Sequence, residues 1–243
     1  MTQTDAPEPP RLLPPQLRRA WGMPQQPGKR GRRPSLELET IVAQAAGLAD
    51  TGGMASVSLV RLADALNVTT NALYRYVDSR EELDVLLREY ALADPPLTAT
   101  TDDWRAATRE WAGALRERYL RHPWLADLTL TVPITPNALG WLEALLAALE
   151  SSPLPAPDIL RAATLLDGYV RFQFITQRDL GAWTEHPLSD RDVVEQVAPL
   201  IDARGYRRVA ALFGAGQYQE PTIATHDADF EYGLERILRG IAG

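Results

Sequence analysis

The chain has 243 residues, a formal net charge of −7 and no cysteine. This length allows one large domain or a small domain joined to a medium one, and a 45% share of apolar residues is enough for a core. The lack of cysteine excludes a disulfide framework, a thiolate zinc site and a cysteine nucleophile. Because the N-terminus has no secretory apolar region and no apolar run approaches the roughly 18 residues of a membrane span, we expect a cytoplasmic protein without membrane contact.

The charge is distributed unevenly along the chain. Residues 1–34 carry seven basic and two acidic side chains, a net charge of +5, so the remaining chain carries −12. This segment is rich in proline, glutamine, glycine and arginine and has no periodicity, which predicts a flexible basic arm over 1–34. The cluster GKRGRR at 28–33 directly precedes the first predicted helix, so Arg30, Arg32 and Arg33 could contact phosphates or a groove of DNA. A solvated tail is the alternative.

Residues 35–92 have the signals of four helices. Apolar residues recur at helical spacing after each of four capping residues, and Gly52 and Gly53 end the first helix. The predicted N-caps are Ser35, Ser58, Thr69 and Ser79. Acidic residues in the first turns of the first and fourth helices support these helix starts, because negative charge is favourable at the N-terminus of a helix.

The second and third of these helices, 58–66 and 69–77, are joined by a turn of only a few residues, which is helix-turn-helix spacing. Leu73 and Val77 lie on the side that we expect to be buried. Hydroxyl and amide groups at a helix start suit phosphates and base edges, arginine suits phosphate or guanine, and tyrosine suits phosphate or a thymine methyl. A packing unit with a solvated face is the alternative. The outward residues that we predict to bind DNA are Thr69, Thr70, Asn71, Tyr74 and Arg75.

The stretch SLVRLADALNVTTNALYRYVDSREELDVLL at 58–87 resembles the DNA-binding signature of the TetR family of bacterial transcription regulators. The family pattern has LA..L.V in the first helix, LY.HV in the recognition helix and (S/N)K..L at the next helix start. This chain has Asn67 where glycine is usual, Tyr76 for histidine and Arg80 for lysine. The resemblance implies that Tyr76 and Arg80 contact phosphates, which both can do as hydrogen-bond donors. Asparagine tolerates the left-handed backbone that the turn needs.

The body of the chain, residues 93–243, is predicted to be helical without strands. The predicted helices are 102–121, 136–150, 158–178, one from residue 189 interrupted near Pro199, a short one within GYRRVAALFGAG, and 226–241. Four stretches of the body resemble the C-terminal domain of the tetracycline-repressor branch, although this resemblance is weaker than that of the N-terminal signature. They are RHPWLADL, PNALGWLEALLAAL, LLDGYVRFQF and DFEYGLERILRGI. Helix 158–178 is apolar on several sides, so we expect it to contact both a core and a partner. The predicted homodimer pairs helices 158–178 and 226–241 with their copies.

The chemistry of the body favours binding over catalysis. The three histidines are not at metal-ligand spacing, and the chain has no GxSxG, P-loop or dinucleotide fingerprint. We therefore predict no enzyme, metal site or cofactor. Aromatic residues on multi-faced helices favour a largely hydrophobic pocket between helices 102–121, 136–150 and 158–178, with core filling as the alternative. The predicted ligand-binding residues are His122, Asn137, Trp111, Trp141, Tyr169, Phe172 and Gln173.

The combined prediction is an all-α protein with an N-terminal helix-turn-helix bundle over 35–92 and a larger helical domain over 93–243 for ligand binding and dimerisation. The resemblance implies a repressor that a small hydrophobic molecule releases from a palindromic operator in double-stranded DNA. Two alternatives stay open at this point: a ligand-independent regulator of the same fold, and an all-α enzyme with an incidental helix-turn-helix.

Overall fold

The computed structural model describes residues 13–23, 36–95, 103–129, 134–183, 190–214 and 223–243. Within these ranges every regular element is a helix, which confirms the all-α prediction. Short 3₁₀ turns lie at Met54–Ser56 and Pro123–Asp127. The helices are α1 (Pro15–Ala20), α2 (Leu38–Gly52), α3 (Leu59–Ala65), α4 (Thr70–Leu73), α5 (Arg80–Leu92), α6 (Trp104–Arg121), α7 (Pro136–Leu149), α8 (Ala156–Trp183), α9 (Asp190–Ala203), α10 (Arg207–Gly214) and α11 (Ile223–Ala242).

Side-chain caps fix the starts of the three helices that follow α2. Ser58 accepts a hydrogen bond from the backbone N–H of Arg61, Thr69 from that of Ala72 and Ser79 from that of Glu82, at 3.2, 3.3 and 3.1 Å. Each cap satisfies an N–H group that has no partner within its own helix. Three of the four predicted N-caps are therefore confirmed, whereas the N-cap position of α2 is Glu37 and not the predicted Ser35. The α2–α5 bundle buries Ile41, Leu62, Leu73, Val77, Leu83 and Leu87 almost completely.

The backbone groups into two compact units. The first comprises Met1–Thr100 with Glu117–Ala147, and the second comprises Thr101–Arg116 with Ala148–Gly243. The division differs from the predicted boundary after residue 92, because the end of α6 and most of α7 group with the helix-turn-helix bundle. Asp50 of α2 and Glu89 of α5 form polar contacts with residues of 122–138, which belong to the same unit.

The N-terminal arm contains a helix that the composition of residues 1–34 did not predict. Helix α1 begins just after Pro14 with a proline at its first position, where the missing N–H is not needed. Leu17 is buried, and the helix packs on α5. The prediction of a flexible arm is therefore wrong for Pro15–Ala20, since one leucine and the ion pairs of Arg19 hold this helix in place.

Other helix boundaries also differ from the prediction. Helix α4 ends at Leu73, and the chain to Val77 continues as hydrogen-bonded turns rather than as regular helix. Helix α8 extends to Trp183, and α9 continues through Pro199 instead of stopping there. Within the residues that the structure describes, each helix is too short or too polar to span a lipid bilayer.

Candidate DNA-binding interface

The helix-turn-helix is formed by α3, the turn at Leu66–Thr69 and α4. Asn67 has a φ of 52°, the left-handed conformation that asparagine tolerates better than most residues. The N–H of Val68 donates to the carbonyl of Ala63 at 2.9 Å, which closes the end of α3. The turn therefore forms with asparagine in place of glycine, as the sequence predicted.

Helix α4 has one buried and one exposed side. Leu73 and Val77 are fully buried, which anchors the helix and the turns after it on the bundle. Asn71, Tyr74 and Arg75 are exposed, and half of the Tyr74 surface is accessible. An amide, a phenol and a guanidinium on one exposed face provide donors and acceptors for base edges and phosphates.

The remaining predicted DNA-contacting residues of this segment lie beside that face. Thr69 is exposed, while Thr70 and Tyr76 are partly exposed. The Thr69 Oγ1 atom already accepts the N–H of Ala72, but its own O–H can still donate to a phosphate oxygen. Arg30, Arg32 and Arg33 lie outside the described residues.

Arg80 connects the start of α5 to the segment before α3. Its Nη1 donates to the carbonyl of Val57 at 2.6 Å, its Nη2 to that of Met54 at 3.3 Å, and its Nε to Asp84 at 2.7 Å. The sequence suggested only a phosphate contact. The structure adds a second role, because these bonds hold α5 against the helix-turn-helix.

A buried ion pair lies directly after the recognition segment. Arg19 of α1 places its Nε 2.8 Å from Glu82 Oε1 and its Nη2 3.1 Å from Asp78 Oδ2. The second carboxylate oxygen of Glu82 accepts the N–H of Asp78 at 2.6 Å. Burial raises the pKa of Glu82, although the hydrogen bond from Asp78 and the charge of Arg19 act in the opposite direction. Asp78 adjoins Val77, so the pair fixes the end of the recognition segment.

Three predicted ligand-binding residues lie in the first unit and contact its helices. His122 is buried, with Nδ1 2.8 Å from Asp50 Oδ1, and Trp124 Nε1 donates to the same oxygen at 2.6 Å. The Asn137 amide donates to the Glu89 carbonyl at 2.9 Å. The indole N–H of Trp141 is 3.2 Å from two carbonyl oxygens at the end of α5. These polar groups are therefore engaged with protein partners.

The other four predicted ligand-binding residues lie in the second unit. Trp111 is buried on α6, whereas Phe172 on α8 is two-thirds exposed. The Tyr169 hydroxyl donates to the Phe230 carbonyl at 2.7 Å, and Gln173 forms a hydrogen bond with the same phenol. Burial raises the pKa of Tyr169. A ligand role for this set stays a prediction.

Four charged residues connect segments of the first unit by hydrogen bonds and ion pairs, and none of them is among the residues predicted from the sequence. They are Arg19, Asp50, Glu82 and Glu89. The only local signal was at Glu82, which lies three residues after the Ser79 cap, as in a capping box. The partners of the other three are 46 to 74 residues away in sequence, and Arg19 itself lies in the segment predicted to be flexible. Periodicity and local spacing therefore could not identify them.

The capped helix pair, its left-handed turn and the exposed polar face of α4 define a helix-turn-helix DNA-binding protein. Residues 95–243 match the family described as tetracyclin repressor-like, C-terminal domain. The HTH-type transcriptional repressor DrrR1 of Streptomyces coeruleorubidus is 30% identical over 234 residues, which cover 91% of this chain and 82% of the relative. The chain therefore belongs to the TetR family of transcriptional regulators, and the alternative of an enzyme is excluded.

Solved structures of the same fold agree with this assignment. The TetR family protein ActR of Streptomyces coelicolor in complex with actinorhodin has a TM-score of 0.70 at 25% identity, covering 85% of this chain and 95% of that one. BioQ with its double-stranded DNA operator has a TM-score of 0.59 at 20% identity, covering 86% and 99%, and shows likeness of fold alone.

Proposed function

We propose that the protein is a cytoplasmic, homodimeric repressor that binds a near-palindromic operator and leaves it when a small, largely hydrophobic molecule binds. The observation that carries the proposal is the exposed face of α4 at Asn71, Tyr74 and Arg75 above the buried anchors Leu73 and Val77. The sign of regulation is supported by DrrR1, whose name describes a repressor. A ligand is supported by ActR, which was solved with actinorhodin and with (S)-DNPA.

In the proposed complex, the α4 segment of each protomer enters a major groove. Asn71 and Tyr74 read bases, whereas Arg75 and Tyr76 hold phosphates with help from Thr69 and Thr70 at the helix start. A guanidinium has five N–H donors, so Arg80 can hold Met54 and Val57 and still reach a phosphate. Arg30, Arg32 and Arg33 add phosphate contacts from the basic arm.

The proposed dimer pairs α8 and α11 with their copies. Leu165 and Phe172, seven residues apart on α8, expose 56% and 66% of their surface, and Tyr232 on α11 exposes 64%. Apolar side chains at helical spacing are costly in water and suit an isologous helix bundle. A two-fold dimer would separate the recognition segments by about 34–36 Å, one turn of DNA.

The proposed effector binds in the C-terminal part of the chain. Buried Trp111 and the aromatic rings of Tyr169 and Phe172 favour an apolar ligand, with Gln173, His122, Asn137 and Trp141 as predicted polar or aromatic contacts. The side chains of His122, Asn137 and Trp141 form hydrogen bonds with protein groups, so an effector that binds them has to share or displace those bonds.

Sequence selection from random duplex DNA with the purified full-length protein tests the function. We expect a two-fold symmetric consensus whose half-sites are one helical turn apart. Titration of the protein–operator complex with actinorhodin then tests the response to a ligand. If the ligand lowers the affinity for operator DNA by a given factor, operator DNA must lower the affinity for the ligand by the same factor. Failure to select any sequence would refute DNA recognition. Selection of an asymmetric site would refute the symmetric dimer.

A further inference from the structure

Asp78 places a negative charge beside the face that we propose to bind DNA. It directly follows the buried Val77, and it lies two residues after Tyr76 and three after Arg75, the proposed phosphate-holding residues. Two residues of chain span at most about 7 Å. The Asp78 side chain is 58% exposed, so its carboxylate is accessible from the solvent. Because DNA is a dense polyanion, a carboxylate at this position repels it.

Arg19 of α1 bridges this carboxylate and a buried one. Its Nη2 is 3.1 Å from Asp78 Oδ2, and its Nε is 2.8 Å from Glu82 Oε1. Arg19 precedes Asp78 by 59 residues, so this cation comes from outside the helix-turn-helix. The Arg19 side chain is only 7% exposed, which leaves little of it available for direct contact with a phosphate.

The position of Arg19 depends on contacts other than its own ion pairs. Leu17 is 3% exposed, and α1 packs on α5. The indole N–H of Trp21 donates to the carbonyl of Ile134 at 3.0 Å. These two contacts hold α1 on both sides of Arg19, so the charge of Arg19 can be removed while the helix keeps other anchors.

Asp78 differs from the other acidic residues at the start of α5. Glu82 is 3% exposed and accepts the N–H of Asp78 at 2.6 Å as well as the guanidinium. Glu81 is exposed, but Ser79 and its own backbone N–H donate to its carboxylate at the N-terminus of α5, where negative charge is favourable. Asp78 lies before the Ser79 cap, outside the first turn, and its carboxylate pairs with Arg19.

We propose that Asp78 opposes the binding of DNA phosphates and that Arg19 offsets this repulsion. Helix α1 is then an electrostatic part of the DNA-binding surface, although Arg19 acts through Asp78 and is a positioning residue for charge rather than a DNA contact. The inference rests on the proposed function, since it requires phosphates beside Arg75 and Tyr76.

Coulomb's law gives the size of the expected effect. Two unit charges about 10 Å apart change an affinity by about twofold in water and by about fifteenfold at the effective permittivity of a protein surface. The Debye length is about 10 Å at 0.1 M salt and decreases at higher concentration. We therefore expect about fivefold at low salt and a smaller effect as salt is added.

The test is a double-mutant cycle in the full chain with Arg19→Gln, Asp78→Asn and the two combined. Arg19→Lys keeps the charge and removes the two-pronged guanidinium, so it separates charge from geometry. Glu143→Gln is the matched control for Asp78→Asn, because it removes the same charge at an exposed position of α7. Affinity is measured for the selected operator and for a duplex of random sequence over a range of salt concentrations, with the binding-competent fraction counted by titration at high DNA concentration.

We expect Arg19→Gln to lower affinity about fivefold when Asp78 is present, and less than about twofold in the Asp78→Asn background. Asp78→Asn alone should raise affinity about threefold, whereas Glu143→Gln should leave it unchanged and Arg19→Lys should keep most of it. Both duplexes should respond by the same factor, because phosphates carry no sequence information. The decline of affinity with salt should be shallower for Arg19→Gln and steeper for Asp78→Asn.

A purely structural role of Arg19 would give the same loss in both backgrounds and an unchanged salt dependence, and that result would overturn the inference. An Asp78→Asn variant that binds DNA no better than wild type would overturn it as well. If thermal unfolding shows that Arg19→Gln does not fold, the comparison of Asp78→Asn with Glu143→Gln decides. If wild type binds neither duplex, the proposed function itself has failed, which is distinct from a wild type that binds DNA and a cycle without coupling.

Discussion

The ion pair between Arg19 and Glu82 is expected to make helix α1 essential to the stability of the DNA-binding bundle. Their side chains are only 7% and 3% exposed, so solvent screening does not weaken the interaction as it does at a surface. Removing one partner of a buried pair costs about 3–5 kcal/mol. Since Glu82 keeps its hydrogen bond from Asp78, we expect Arg19→Met to lower the free energy of unfolding by about 2–4 kcal/mol at neutral pH.

The loss of stability caused by Arg19→Met should depend on pH in a definite direction. Burial raises the pKa of Glu82 above its ordinary value of 4.5. The folded state therefore binds a proton more tightly than the unfolded state, and stability falls as pH rises from 4.5 to the folded-state pKa. Arg19→Met removes a charge that lowers this pKa, so in the variant the pH range over which stability falls extends to higher pH. The deficit of the variant should be small in acid and largest near neutral pH.

Urea unfolding of wild type and variant across this pH range provides the measurement. Arg239→Met is the control, because Arg239 pairs with Glu235 at the surface, where its side chain is 65% exposed, and we expect it to cost less than about 1 kcal/mol. The double variant Arg19→Met with Glu82→Leu should regain most of the loss, as apolar replacements of buried pairs often do. An Arg19→Met deficit no larger than that of Arg239→Met at neutral pH would refute the reasoning.

Three further predictions concern DNA, the dimer and helix packing. Tyr74→Ala should cost about 1–3 kcal/mol of operator affinity and change base preference, measured by repeated sequence selection; unchanged selection would mean that Tyr74 does not read bases. Phe172→Glu, at an exposed position, should shift the sedimentation of folded protein toward monomer, while the exposed Leu200→Glu should not. Gly233→Ala should destabilise the contact of α11 with α8, because the added methyl would lie 2.7 Å from ring carbons of Tyr169; an unchanged melting temperature would show that the ring moves aside at no cost.

The sequence predicted the DNA-binding half well because its signals are local. Each of Ser58, Thr69 and Ser79 caps a group three residues away, and Leu73 and Val77 are one helical turn apart. Helix α1 was not predicted, since six residues in a proline-rich segment have little helical signal of their own and depend on α5 for burial. Whether residues such as Tyr74 contact DNA stays a prediction.

Asn137 and Trp141 show why buried polar groups in the body were harder to interpret. The sequence favours ligand binding for both, with Asn137 as a polar anchor and Trp141 as an aromatic residue near a helix face. Their partners are carbonyls 48 or 49 residues away, at the end of a helix that has alanine rather than glycine at its closing turn. Helix ends leave backbone groups that must find partners from elsewhere when they are buried. A buried amide or indole should therefore be matched first with the nearest helix end, and the polar groups left after that matching are the better candidates for ligand recognition.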